Sequence, residues 1–145
     1  MSAEAAKAAF DVIKTNVPAG EESGKATVII ATVKGDIHDI GKNIVKLLLE
    51  NYGYSVIDLG RDVEPSLIVE KAVELSAPIV ALSALMTTTV PAMEETIKLL
   101  RISAPFAKVV VGGAVLTQEY ADMIGADAYA KDAMGAVRYV EALIS

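Results

Sequence analysis

Residues Ala26–Asn43 read ATVIIATVKGDIHDIGKN, and this stretch decides the fold. Its first part, Ala26–Val33, is an almost continuous run of apolar and β-branched residues. A continuous apolar run, in contrast to an alternating one, indicates a strand that is buried on both faces, as in a parallel sheet. The rest is a polar loop that leads into a segment with helical spacing of its apolar residues. The stretch therefore predicts a buried parallel strand, a loop and a helix.

The same pattern recurs along the chain. Further strands are predicted at Ser55–Leu59, Pro78–Ser83, Lys108–Val111 and, more weakly, Ala126–Tyr129. Apolar spacing predicts helices at Ile40–Asn51, Glu64–Leu75, a segment around Met93–Leu100 that ends before Pro105, Gln118–Ile124 and Ala133–Ile144. Five such units predict an α/β fold, a doubly wound five-stranded parallel sheet of the flavodoxin-like (Rossmann-like) order 2-1-3-4-5. Ligands bind such sheets at the carboxyl ends of the strands.

Composition excludes several classes of function. The 145 residues are 53% hydrophobic, but no apolar run approaches the ~18 residues of a membrane span. A formal net charge of −6 argues against a nucleic-acid partner. The absence of cysteine excludes disulfides and thiolate metal sites, and the single histidine excludes sites that need two. The first ten residues lack a secretory apolar core, so we expect a cytoplasmic protein without a membrane partner.

The first 24 residues lie outside the strand–helix pattern. Ala3–Val17 has apolar residues close to helical spacing, and Pro18–Gly24 has the composition of a linker. We therefore expect two regions, an N-terminal helix with its linker at residues 1–24 and the α/β domain at residues 25–145.

The loop after the first strand holds the only histidine, His38, between Asp36 and Asp39. A neutral imidazole is a good ligand for a transition metal, and a carboxylate on its other ring nitrogen fixes the tautomer. Asp36 is close enough in sequence to make that bond, while Asp39 stands where the next helix needs an N-cap. The alternative is a polar surface loop with an incidental histidine. One histidine without cysteine suits a metal that arrives already chelated, in a macrocycle.

Two other loops offer candidates. The third strand ends in Ser83-Ala84-Leu85-Met86-Thr87-Thr88-Thr89, whose small and hydroxylated residues suit the wall of a slot. Helix capping by Thr88 or Thr89 is the alternative. The fourth strand ends in Gly112-Gly113, where the missing side chains allow either a close ligand or a tight turn.

Together these three sites resemble the cobalamin-binding domain of corrinoid methyl-carrier proteins and of cobalamin-dependent methionine synthase. The family pattern is Asp-x-His-x-x-Gly, then Ser-x-Leu, then Gly-Gly. Asp36, His38 and Gly41 match the first element. Ser83 and Leu85 match the second, with 41 residues between Gly41 and Ser83, and Gly112-Gly113 match the third, with 26 residues between Leu85 and Gly112. The resemblance extends from Ala26 to the C-terminus.

The resemblance implies a cobalamin whose own base is displaced from cobalt, with His38 as the lower axial ligand. Asp36 would tune His38, and Thr89 would extend this relay. The nucleotide tail would enter a slot between the first and third strands, with Gly41 at its mouth. The residues implied to bind the cofactor are Asp36, His38, Asp39, Ile40, Gly41, Ser83, Leu85, Met86, Thr87, Thr89, Gly112 and Gly113.

The implied function is that of a methyl carrier in a corrinoid-dependent methyltransferase system such as methionine synthase. The cofactor would be cobalamin, as methylcobalamin or cob(I)alamin, or a related corrinoid. The module would not be catalytic alone. Its partners would be methyl-donor and methyl-acceptor methyltransferase domains or subunits and a reductive activation partner. In methyl-transferring members a helical cap precedes this domain, so we interpret residues 1–24 as the remnant of such a cap. A fragment of a longer polypeptide is the favoured explanation, and a short natural variant is the alternative.

Other functions fit the sequence less well. An adenosylcobalamin-dependent mutase or a cobalamin sensor would share the motif, but Thr89 and the cap-like helix favour methyl transfer. A signalling receiver domain would need an aspartate where Ser83 stands. A flavodoxin would need a hydroxyl-rich loop after the first strand, and a plain structural module would bind no corrinoid.

Overall fold

Five parallel strands form a single sheet. The structure is a computed structural model that describes residues 26–113 and 115–144. Its strands are β1 (Thr27–Val33), β2 (Ser55–Val63), β3 (Ile79–Ser83), β4 (Lys108–Gly112) and β5 (Ala128–Ala130). Its helices are α1 (Ile40–Asn51), α2 (Pro65–Leu75), α3 (Val90–Ser103), α4 (Gln118–Met123) and α5 (Ala133–Ile144), with a 3₁₀ turn at Thr87–Thr89.

The strand order is β2-β1-β3-β4-β5, which confirms the predicted flavodoxin-like topology. Alternate residues of each strand face opposite sides of the sheet. Val28 and Ile30 of β1 face the cluster that α1 and α5 cover, whereas Ile29 and Ala31 face the cluster that α2 and α3 cover. Both faces of the central strands are therefore buried, which accounts for their continuous apolar runs.

Two strands differ from the sequence prediction by more than one residue at an end. β2 continues past Leu59 to Val63 because two irregularities in its pairing with β1 let it extend through a polar stretch. β5 covers Ala128–Ala130 instead of Ala126–Tyr129, because the backbone N–H of Ala126 donates to Ala121 at the end of α4.

The predicted N-terminal helix Ala3–Val17 and the linker Pro18–Gly24 lie outside the described residues. Within residues 26–113 and 115–144, none of the helices is long and apolar enough to cross a bilayer.

Candidate functional site

A cleft of about 920 Å³ opens at the carboxyl ends of the strands, on the sheet face that α1 and α5 flank. Its floor includes Ile30, Ala81 and Val110, one from each of the three central strands. The cleft lies over β1 and β3, where the slot was predicted, and it also extends over β4 to Tyr129 and α5. Eight of the predicted residues line it, namely His38, Asp39, Ile40, Gly41, Ser83, Leu85, Gly112 and Gly113.

The carboxylate of Asp36 is the centre of a hydrogen-bond network beneath this cleft. It is fully buried. Its Oδ1 accepts from the backbone N–H of His38 at 3.0 Å and lies 2.7 Å from His38 Nδ1. Its Oδ2 accepts from the backbone N–H groups of Leu85 at 2.7 Å and Met86 at 3.2 Å. Asp36 thus joins the β1–α1 loop to the β3–α3 loop.

These hydrogen bonds determine the charge of Asp36. Burial alone would raise its pKa, but the donors from His38, Leu85 and Thr89 outweigh burial and hold the pKa well below its usual range. An ionised carboxylate only accepts hydrogen bonds, so Nδ1 of His38 carries the ring proton. In the described residues Nε2 has no hydrogen-bond partner, and the side chain is 44% exposed at the cleft. In the neutral form of the ring, the lone pair is therefore on Nε2, at the cleft.

Thr89 lies on the far side of Asp36 from His38. Its Oγ1 is 2.9 Å from Asp36 Oδ2 and 2.8 Å from the carbonyl oxygen of Met86, so its one proton has two acceptors. The side chain is buried. Thr89 occupies the N-cap position of α3, in agreement with the capping alternative, but its side chain makes no capping hydrogen bond.

Asp39 occupies the N-cap position of α1, as predicted, but its side chain makes no capping hydrogen bond. One of its oxygens lies 4.0 Å from Nζ of Lys42, so the side chain is directed toward that cation. Met86 and Thr87, like the buried Asp36 and Thr89, do not line the cleft.

The two glycines at the end of β4 differ in the space that each has for a side chain. Gly113 has a φ of +143°, and a Cβ built there would lie 1.7 Å from the carbonyl oxygen of Ala84. Its lack of a side chain is therefore required by the protein's own packing. Gly112 faces the backbone of Ala130 and would accept a Cβ at 3.4 Å. At the cleft mouth, a Cβ on Gly41 would meet no protein atom within 4 Å.

Sequence reasoning missed a buried ion pair at the cleft. Nζ of Lys42 lies 2.7 and 2.9 Å from the two carboxylate oxygens of Asp58, and its side chain is 1% exposed. The helical spacing of α1 indicates only that Lys42 is one of the polar residues of this helix. Only its position beside the polar end of β2 could have indicated a partner. The cleft is also lined by Arg61, Tyr129, Lys131 and Asp132, which were not singled out.

Comparison with protein families gives one assignment over most of the chain. A family model described as a B12 binding domain matches residues 26–138. This range includes every element of the sheet and all three loops of the cleft.

Known proteins of similar sequence and structure agree. The chain is 45% identical to dimethylamine corrinoid protein 1 of Methanosarcina acetivorans, over 100% of this chain and 70% of that protein. A cobalamin-binding protein from Desulfitobacterium hafniense superposes with a TM-score of 0.80 at 35% identity, over 83% of this chain and 60% of that one. The methanol:cobalamin methyltransferase complex of Methanosarcina barkeri superposes with a TM-score of 0.79 at 34% identity, over 82% of this chain and 46% of that one. The chain thus spans less than two thirds of either structural neighbour.

Proposed function

Because the chain belongs to the B12-binding domain family, we propose that it is the corrinoid-carrying module of a methyltransferase system and shuttles a methyl group between a donor and an acceptor. The observation that carries this proposal is the exposed Nε2 of His38 at the cleft, with Nδ1 held by the ionised Asp36.

The residues at the cleft fit a corrinoid. The described residues contain no group of three His, Cys, Asp or Glu side chains that could hold a metal ion by themselves. A single imidazole can still complete the coordination of a metal whose other positions a macrocycle fills. The apolar floor at Ile30, Ala81 and Val110 suits an organic group of substantial size.

In this proposal His38 would hold the corrinoid through Nε2, in place of the cofactor's own base. The bound corrinoid supplies a cobalt centre that can accept and release a methyl group. Asp36 keeps the proton on Nδ1, which leaves Nε2 free to coordinate and increases its donor strength. Thr89 supports the charge of Asp36 through its hydroxyl.

The displaced nucleotide tail would enter the cleft. Gly41 leaves its mouth open, and Leu85 forms part of its wall. Ser83 contributes a hydroxyl that makes no hydrogen bond within the described residues, so it is available to the tail.

The relatives support a methylamine system over methionine synthase. The similar Methanosarcina proteins are named dimethylamine and trimethylamine corrinoid proteins. We therefore infer that one methyltransferase transfers the methyl group from a methylamine to the module and that a second methyltransferase transfers it from the module to an acceptor. A reductive partner would restore the cofactor after adventitious oxidation.

Electron paramagnetic resonance of the cob(II)alamin-loaded protein tests this proposal, with ordinary and then nitrogen-15-labelled histidine. His38 is the only histidine, so the label reports on one ring. Axial coordination by Nε2 changes the nitrogen splitting from a triplet to a doublet. An unchanged triplet would show that the cofactor keeps its own base, and failure to retain cobalt would contradict corrinoid binding. His38→Ala is the matched control, in which labelling has no effect.

A further inference from the structure

We propose that Asp62 is a positioning residue that holds the loop of Asp36 and His38 in the geometry for axial ligation. This inference rests on the proposed function and extends it to a residue outside the Asp36–His38–Thr89 network. The proposed contact route has two steps, from Asp62 to the backbone of Asp36 and from the Asp36 carboxylate to His38.

Asp62 makes two reciprocal hydrogen bonds to that loop. Its Oδ1 accepts from the backbone N–H of Gly35 at 2.7 Å. Its own backbone N–H donates to the carbonyl oxygen of Asp36 at 2.9 Å. The loop is therefore held from both sides. The β3–α3 loop binds the carboxylate of Asp36, and Asp62 binds the backbone on either side of the Gly35–Asp36 peptide.

The backbone of Asp62 is in an uncommon conformation that serves these contacts. Its φ is +55°, and among the described non-glycine residues only Ser76 shares a positive φ. Aspartate tolerates this left-handed region better than most residues, but the conformation still has to be maintained by its surroundings. Ala31 pairs with Gly60 and Val33 pairs with Val63, so β2 has one more residue than β1 between these two pairs. This extra residue forms a bulge in β2 beside Asp62. The bulge directs Asp62 toward the loop of Asp36.

Gly35 completes the arrangement. It has a φ of +90°, and a Cβ built there would lie 3.4 Å from Cγ2 of Thr89. The backbone N–H that donates to Asp62 thus belongs to Gly35, which packs beside the buried Thr89. Displacing this peptide would move Asp36, and with it the Nδ1 contact of His38.

Three substitutions separate the parts of this contact. Asp62→Asn keeps an Oδ1 acceptor and a residue that tolerates the left-handed region. Asp62→Gly keeps the backbone conformation and its N–H donor but removes the side-chain acceptor. Asp62→Ala removes the acceptor and disfavours the conformation as well. Ser76→Ala is the matched control, since Ser76 has a φ of +50° at the end of α2, before β3 and away from the cleft.

The first readout is the fraction of cob(II)alamin with His38 bound, measured by the nitrogen-15 experiment above. Asp62 contacts Asp36, the partner of His38, and does not contact His38 itself, so its loss should matter less than the loss of Asp36. We expect Asp62→Ala to lower the equilibrium constant for coordination of His38 to cobalt about threefold to tenfold. Asp62→Gly should fall between Asp62→Ala and the wild type. Asp62→Asn should stay near the wild type, and Ser76→Ala should be unchanged.

The second readout needs no cofactor. Nitrogen-15 NMR of the apoprotein should show altered ring resonances of His38 and faster amide exchange at Gly35 in Asp62→Ala, but not in Ser76→Ala. Unchanged resonances and an unchanged coordination equilibrium in Asp62→Ala would overturn the inference. If the wild type shows no histidine coordination, the proposed function fails, and the apoprotein spectra still decide whether Asp62 holds the loop.

Discussion

Gly41 and Gly113 line the same cleft, yet they lack side chains for different reasons. A Cβ on Gly113 would overlap the carbonyl oxygen of Ala84, and its φ of +143° disfavours any other residue. A Cβ on Gly41 would point into open space at the mouth of the cleft. One glycine therefore serves the packing of the protein, and the other leaves room for a ligand.

The difference predicts opposite outcomes for two identical substitutions. Gly113→Ala should lower the free energy of unfolding by at least about 2 kcal/mol, because backbone strain and overpacking both contribute. Gly41→Ala should leave stability unchanged or raise it by up to about 1 kcal/mol, since it lies in α1 and alanine favours helix. Under the proposed function it should nevertheless weaken corrinoid binding. Urea unfolding and cofactor titration of both variants check this. Equal stabilities would contradict the packing argument.

Residues close together in sequence were the ones that could be predicted. The contact of Asp36 with His38 follows from a spacing of two residues within one loop. Thr89 is 53 residues from Asp36, and only a family resemblance pointed to it. Asp62 could not have been found this way, because its role depends on a bulge in β2 that no local pattern encodes.

At the scale of elements, the Lys42–Asp58 ion pair joins α1 to the edge strand β2. Asp58 also accepts from the backbone N–H of Gly60 at 2.8 Å, and Nζ of Lys46 lies 3.7 Å from its other oxygen. Burial would raise the pKa of Asp58, but Lys42 and the N–H of Gly60 hold it below its usual value. The first turn of α1, which follows the His38 loop, is thus fixed to the sheet.

Removal of either partner should have unequal effects. Asp58→Asn removes the closest counter-charge of the buried Lys42 ammonium, leaves only the Asp39 carboxylate at 4.0 Å, and should cost about 3 kcal/mol at neutral pH. Lys42→Met should cost less, because Asp58 keeps Lys46 and the N–H of Gly60. The folded-state pKa of Asp58 is lowered, so its contribution is present above the unfolded-state value and is lost as pH falls. The deficit of Asp58→Asn should therefore shrink in acid. Urea unfolding at several pH values checks this, and a deficit independent of pH would contradict it.

The order of elements could be predicted because each strand and helix carries its own periodicity. β1 and β3 are buried on both faces, so their apolar runs were continuous and their bounds were nearly right. The polar end of β2 carries no such pattern, since Arg61 lines the cleft and Asp62 contacts the β1–α1 loop. The strand was therefore predicted four residues too short.

At the scale of the whole molecule, one hydrogen bond joins the start of β2 to the last helix. The hydroxyl of Tyr54 donates to Glu141 Oε2 at 3.1 Å across 87 residues of sequence, and Tyr54 is 6% exposed. Burial, with the added effect of Glu141, raises the pKa of Tyr54 to about 12. The folded protein therefore keeps a phenol proton that the unfolded chain loses at lower pH.

This linkage predicts alkaline unfolding with a definite sign. The contribution of Tyr54 should be fully present below pH 10.0, the pKa of an unperturbed tyrosine, and should be lost as pH rises toward about 12. Ultraviolet titration of tyrosinate should show one of the five tyrosines ionising late, with no tryptophan to obscure it. Tyr54→Phe should remove that late component and make stability decline less steeply over the same range. Tyr139→Phe, on the exposed side of α5, is the matched control and should keep the late component. If Tyr54→Phe also kept it, the late proton would belong to another tyrosine and the link between β2 and α5 would not control alkaline stability.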